Sequence, residues 1–177
     1  TFCVLEKNVL HIVKDLTIQQ SIPCNSYLAE FANMKVTIVK MELIMKKPWE
    51  NKHLPSSVVN VVELNVLKEF NELINDNATP EELYQYVKVH SNKQMWEMLS
   101  SYSLTNFNFE LAEKAMKESN DVNGLKFVKK IKTTKNTQLQ KAEVAKYLDN
   151  YDEAQKIYEK EGMDDLANEM KTNLGQW

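Results

Sequence analysis

The sequence predicts a mainly α-helical fold of closely stacked hairpins, preceded by a few strands of a larger β unit. Three observations carry that reading. The apolar period changes from near two to between three and four across a Pro-marked connector, "PWENKHLP" at 48–55. Beyond it, periodic stretches are separated by breaks of two or three residues, which turns consecutive helices back antiparallel. One phrase is also written twice, as "NFELAEKAM" at 108–116 and "NYDEAQKIY" at 150–158, forty-two positions apart.

Residues 1–46 read as strands. "FCVLEK" and "VLHIVKD" are β-rich runs meeting at a tight turn at Lys7-Asn8, and "KVTIVKMELIM" alternates through Val36, Ile38, Val39, Met41 and Leu43. So few strands cannot bury both faces, so they are expected to close a larger β unit. Residues 47–59 form the connector and residues 60–177 the helical part. Its first helix is marked by Val61, Leu64, Leu67, Phe70 and Ile74. "TPEELYQYV" then carries a helix start: Thr79 as N-cap, Pro80 at the first helical position and Glu82 as the reciprocal capping acid. Further helices are expected at about 93–105, 109–119, 122–131, 136–149, 151–161 and 163–174.

The duplicated phrase fits the tetratricopeptide pattern, in which one helix supplies a bulky residue and Leu and its partner supplies Ala and an aromatic. Trp96, Leu99, Ala112 and Met116 take the Trp, Leu, Ala and Phe positions. In the second copy Ala142, Ala154 and Tyr158 take the small, Ala and aromatic positions. All seven are expected to be buried between hairpins, the alanines permitting close approach and the larger side chains filling the space. The interval exceeds the usual repeat because a helix around "GLKFVKKIK" intervenes; "MDDLANEM" is a weaker third echo and "LGQW" the opening of a fourth. One such unit cannot bury its own apolar face, so the array is expected to continue beyond Trp177.

The composition offers little chemistry. With 177 residues, 43% hydrophobic, 27% charged and a net charge of −3, the chain has no global pull toward nucleic acid or membrane. No apolar run approaches the roughly 20 residues of a spanning helix, and the opening "TFCVLEKNVLHIVKD" has no signal-peptide pattern and reads as the inside of a longer chain. Cys3 and Cys24 are expected to be reduced and structural rather than a disulfide or metal pair. His11, His53 and His90 lack ligand-spaced neighbours, and the three glycines make no phosphate loop. No hydroxyl or thiol sits in a nucleophile elbow, and the acid pairs Glu81-Glu82 and Asp164-Asp165 stand at helix starts, where the macrodipole accounts for them. No catalytic, cofactor-binding or metal residue is assigned.

Charge is distributed unevenly. Between Gly124 and Lys146 lie seven lysines, Lys126, Lys129, Lys130, Lys132, Lys135, Lys141 and Lys146, against the single acid Glu143; from Asp149 onward acids dominate. Either two solvated faces attract each other within the stack, or a basic ridge centred on Lys126, Lys129, Lys130 and Lys132 docks an acidic partner or anionic lipid headgroups. Nucleic acid fits less well, since no aromatic residues are interleaved with those lysines in the manner of a stacking platform.

The stretch from "LAEKAMKES" to "LGQW", with "GLKFVKK", "QKAEVAKYL", "YDEAQKIY" and "MDDLA", resembles the WD-repeat subunits of intraflagellar transport complex A. The likeness extends upstream through "QMWEMLSSYSL" and "ELNVLKEFNELI", and fits "FCVLEKNVLHIVKDL" as the last blade of a second β-propeller. It implies a non-enzymatic scaffold without cofactors, in which WD-repeat propellers lead into a tetratricopeptide-like α-solenoid. It further implies assembly with sister complex A subunits, contact with complex B and membrane-protein cargo through parts outside this chain, and work in retrograde transport and ciliary import. The implied location is the cilium and cytoplasm, at axoneme and basal body. Coatomer-like vesicle-coat subunits share the propeller-plus-solenoid plan and are the alternative.

Overall fold

The computed structural model describes residues 2–32, 34–46, 58–90 and 92–175. The connector "PWENKHLP" with His53, and Trp177 of the expected fourth repeat, lie outside the described residues. The chain divides into two compact units, Thr1–Ala78 and Thr79–Trp177.

The first unit holds two antiparallel sheets of three strands. Strands β1 (Phe2–Glu6), β2 (Val9–Lys14) and β3 (Thr17–Pro23) form one; β4 (Tyr27–Ala32), β5 (Lys35–Val39) and β6 (Val59–Glu63) form the other. The turn after β1 is made by Lys7 (φ 44°) and Asn8 (φ 66°), and the turn after β2 by Asp15 (φ 51°) and Leu16 (φ 62°). Paired positive φ values match the right-handed twist of the strands they join. Each central strand buries alternate residues, Leu10 and Ile12 on β2 and Val36 and Ile38 on β5, while the edge strands stay largely exposed.

Two local expectations change in this unit. "KVTIVKMELIM" does not run as one strand: it ends at Val39, and Met41–Lys46 forms a short helix, α1, made of the helix formers Met, Glu, Leu and Lys. Residues 59–63, expected to lie at the end of the connector and the start of the helical region, are a strand. The β-branched Val59, Val61 and Val62 pair with β5, Val62 standing opposite Val36. Strands β3 and β4 lie within residues 1–46, the stretch read as strands, although "TIQQSIP" is mostly polar and "YLAEFA" is rich in helix formers. Helix α2 (Asn65–Asn75) then buries Leu67 and Phe70 within the same unit.

The second unit is entirely helical among the described residues: α3 (Pro80–His90), α4 (Lys93–Thr105), α5 (Phe109–Glu118), α6 (Val122–Thr133), α7 (Thr137–Tyr147), α8 (Tyr151–Lys160) and α9 (Asp164–Asn173). The capping box at α3 is formed. The Glu82 amide donates to Thr79 Oγ1 at 3.3 Å and the Thr79 amide donates to Glu82 Oε2 at 2.8 Å. Hydrogen bonds from the Thr79 amide and then from the Thr79 hydroxyl hold the Glu82 carboxyl below its ordinary range.

The loops reveal the true repeat. Phe107 (φ 56°) and Asp149 (φ 60°) adopt the left-handed conformation after α4 and α7, and Asn120 (φ 58°) and Gly162 (φ 68°) adopt it after α5 and α8. In each case the next amide reaches back five residues: Asn108 to Ser103 O at 2.8 Å and Asn150 to Ala145 O at 2.9 Å, Asp121 to Met116 O at 2.9 Å and Met163 to Tyr158 O at 2.8 Å. These are Schellman closures, and each pair is separated by the same forty-two residues as the duplicated phrase. Buried residues repeat at that spacing too: Ser100 and Ala142, Ser103 and Ala145, Ala112 and Ala154, Met116 and Tyr158, Val128 and Met170.

The repeating unit is therefore three helices, α4–α5–α6 and then α7–α8–α9. This corrects the expectation that the helix around "GLKFVKKIK" is an insertion and "MDDLANEM" a third tetratricopeptide echo. Both are the third helix of a unit, α6 packing against α5 as α9 packs against α8. The junction between units is built differently: Thr134 is extended, and the Gln140 side chain donates from Nε2 to Ile131 O at 3.1 Å and to Thr134 O at 2.8 Å.

Candidate functional site

Each of the seven residues assigned to repeat packing is buried. Ala112 and Met116 meet Leu104, Val128, Ile131 and Val144 in one core cluster. Ala142, Ala154 and Tyr158 meet Ala145, Ala167 and Met170 in a second. Leu99 is fully buried on α4, and Trp96 on the same helix has its ring 5.4 Å from that of Tyr84 on α3. Tyr158 carries a polar tip into this core: its hydroxyl donates to Glu143 Oε1 at 2.6 Å, and burial followed by that carboxylate pushes its pKa up.

The lysine-rich segment falls mainly on α6. Gly124, Val128 and Ile131 face the core, while Lys126, Lys129, Lys130 and Lys132 are exposed. At about 100° per residue, Lys126, Lys129 and Lys130 fall within roughly a third of the helix circumference, opposite the buried side. Lys132 stands apart. Its ammonium is 2.7 Å from Glu113 Oε2 on α5, and Lys117 is 2.9 Å from Glu113 Oε1. Hydrogen bonds and charge from Lys132 and then Lys117 hold the Glu113 carboxyl at about 2. The pairing differs from both readings of the ridge, because the acid lies upstream on α5 rather than after Asp149. Among the described residues Lys126, Lys129 and Lys130 have no carboxylate within ion-pair distance.

Helix α6 is held in place by its first turn. Asp121 Oδ1 accepts from the Gly124 amide at 2.9 Å, and Oδ2 accepts from the Tyr147 hydroxyl of α7 at 3.2 Å. Burial, then the Asp121 charge, raises Tyr147 to about 12. The Tyr147 ring stacks on Phe127 with centroids 4.2 Å apart and planes 10° from parallel. Beside this pair opens a cavity of about 400 Å³, lined from α6, α7, α8 and α9. Sequence reasoning missed the Glu113 clamp and the aromatic stack. The one readable signal was Asp121 three residues before Gly124, an N-cap pattern at the head of α6.

The other singled-out residues carry no assembled chemistry. His11 Nδ1 lies 2.9 Å from Ser21 Oγ, the His90 ring lies against Tyr86, and Cys3 and Cys24 are free thiols. Among the described residues no group of three His, Cys, Asp or Glu side chains is arranged to hold a metal, and no helix is long and apolar enough to cross a membrane.

Residues 95–177 match the family model described as "IFT80/172/WDR35/WDR19 TPR domain". Across 176 residues, 99% of this chain, it is 24% identical to WD repeat-containing protein 35 of Rattus norvegicus and of Homo sapiens, and 23% identical to that of Mus musculus. The chain spans about 15% of the length of those relatives. It is thus a homologue of WD repeat-containing protein 35 along nearly its whole length, with a TPR domain of the IFT80/172/WDR35/WDR19 type from residue 95 onward.

Proposed function

We infer that the chain is part of a scaffold subunit of intraflagellar transport complex A and acts by binding sister subunits rather than by catalysis. The observation that supports this most is the forty-two-residue, three-helix repeat, which lies within the stretch matched by the TPR family model. Stacked repeats of this kind present a long rigid surface and divide their energy between neighbouring units, which suits them to holding partners. In this reading the two three-stranded sheets are blades closing a WD-repeat propeller, and the subunit serves retrograde ciliary transport and the ciliary import of membrane proteins. The exposed Lys126, Lys129 and Lys130 of α6 are its polar contact surface for an acidic neighbour, where they raise association rate and set register while buried apolar contacts supply most of the affinity.

The test is affinity purification of the native full-length protein from ciliated cells. Recovery of the other complex A subunits in fixed proportion is expected. Recovery of vesicle-coat subunits instead, or of no stable partner, would overturn the reading.

A further inference from the structure

A reactive linkage stands beside the Asp121 cap. Asn123-Gly124 is the only asparagine followed by glycine in the 177 residues. In such a pair no side chain shields the glycine amide, so its nitrogen can attack the asparagine side chain, a reaction that makes asparagine thermolabile. Asn123 is exposed to water, while Gly124 is buried.

The fold opposes this reaction in two ways. Ring closure brings Asn123 Cγ onto the Gly124 nitrogen, which needs Asn123 Cβ and that nitrogen nearly eclipsed about the Cα–C bond. Asn123 lies inside α6, and a helical ψ of about −42° holds the two far from eclipsed. The Gly124 amide is also engaged. It donates to Asp121 Oδ1 at 2.9 Å, while the Leu125 amide donates to Asp121 O at 3.1 Å. Asp121 is in turn tied to α7, its Oδ2 accepting from the Tyr147 hydroxyl at 3.2 Å. Both obstacles disappear together when the first turn of α6 opens, and helix ends are where local opening costs least.

We propose that Asn123 is a deamidation site and that Asp121, held by Tyr147, is the latch that sets its rate. When the turn opens, the Gly124 nitrogen bonds to Asn123 Cγ and the Cγ–Nδ2 bond breaks. The amide proton of Gly124 ends on the ammonia that leaves, and a succinimide remains. Water then opens the ring at either carbonyl. One product is an aspartate; the other is an isoaspartate, whose main chain is one methylene longer. The first turn of α6 has no room for the longer chain. A single carbon added at Gly124 would already run into Asp121 Oδ2 and come within 2.8 Å of Met116 Sδ. The isoaspartyl form therefore does not relatch, and the helix that carries Lys126, Lys129 and Lys130 stays loosened at its start.

The experiment is incubation of the full 177-residue chain in mildly alkaline buffer, with aspartate and isoaspartate at each asparagine quantified by peptide mass spectrometry. Native wild type is compared with guanidinium-unfolded wild type and with two native variants, each checked by circular dichroism for folding. Asp121→Ala removes the cap. Tyr147→Phe keeps the ring that stacks on Phe127 and removes only the hydroxyl that holds Asp121. In the unfolded chain Asn123 should convert faster than any other asparagine, and in the native chain about tenfold slower or more. Asp121→Ala should raise the native rate about tenfold, and Tyr147→Phe about fivefold. Equal rates in native and unfolded wild type, or no conversion of Asn123 in the unfolded chain, would overturn the proposal. Both variants reacting at the native wild-type rate would overturn Asp121 as the latch. Should Asp121→Ala fail to fold, Tyr147→Phe at the wild-type rate would do the same.

Discussion

Gly124 is the residue at which the third helix of the repeat is most open to test. It lies in the first turn of α6, where its amide is capped by Asp121 Oδ1 at 2.9 Å. An alanine Cβ there would run into Asp121 Oδ2 and come within 2.8 Å of Met116 Sδ. In an open helix position Gly→Ala stabilises by up to about 1 kcal/mol. Here the methyl displaces the carboxylate that caps α6, a loss of about 0.5–2 kcal/mol. It also disturbs the hydrogen bond that carboxylate accepts from Tyr147, worth about 1.5 kcal/mol, since one partner is charged. The crowding of buried Met116 adds to this. Gly124→Ala should therefore destabilise the helical unit by about 1–3 kcal/mol. For a unit of about 100 residues that lowers Tm by roughly 5–15 °C. Thermal and urea unfolding followed by circular dichroism at 222 nm read this directly. In the background of Asp121→Ala the same alanine should cost much less, because the group it strikes is gone. A Gly124→Ala variant with a raised Tm, the behaviour of an ordinary helix glycine, would refute the placement of Asp121 between α6 and α7.

Three other outcomes follow from the same geometry. Ala154→Arg places a long cation in the fully buried cluster of Ala142, Tyr158 and Met170, and should cost about 3 kcal/mol or more in urea unfolding. The folded Glu113 carboxyl, held at about 2, lies below its ordinary value of 4.5, so its contribution is complete above about pH 4.5 and is lost as the pH falls toward 2. The urea midpoint of the wild type should thus fall more between pH 6 and pH 3 than that of Glu113→Gln; parallel profiles would remove the clamp. Reversing Lys126, Lys129 and Lys130 to Glu should leave helical content and Tm near wild type and weaken recovery of sister subunits, most visibly at low salt, where the charges are least screened. Unchanged recovery would reduce these lysines to a solvated face.

Much of the helical unit was legible because its punctuation is local. Thr79-Pro80 with Glu82, the Asn caps at 92, 108 and 136, and the left-handed Asn120 and Gly162 each announce a helix end within a few residues. The strands were harder. Val59–Glu63 carries apolar residues at spacings that also suit a helix, and only pairing across the chain with Lys35–Val39 decides its state. The duplicated phrase gave the right period and the wrong unit. It marks α5 and α8 alone, whereas the third helices share Val128 and Met170 but hardly any identity along their lengths. The cavity and the Glu113 clamp depend on side chains about twenty residues apart meeting in space, as Phe127 meets Tyr147 and Glu113 meets Lys132. No short-range pattern announces either.

The central claim, that this chain holds a partner through the α6 face of a three-helix repeat, is tested most directly by zero-length crosslinking. A carbodiimide joins a lysine only to a carboxylate already in contact with it. Applied to the purified native complex and read by mass spectrometry, it should link Lys126, Lys129 or Lys130 to an Asp or Glu of another subunit, and Lys132 to Glu113 within the chain. If those three lysines are recovered unlinked, or joined only to acids of the same chain after Asp149, the face binds no partner and the account is contradicted.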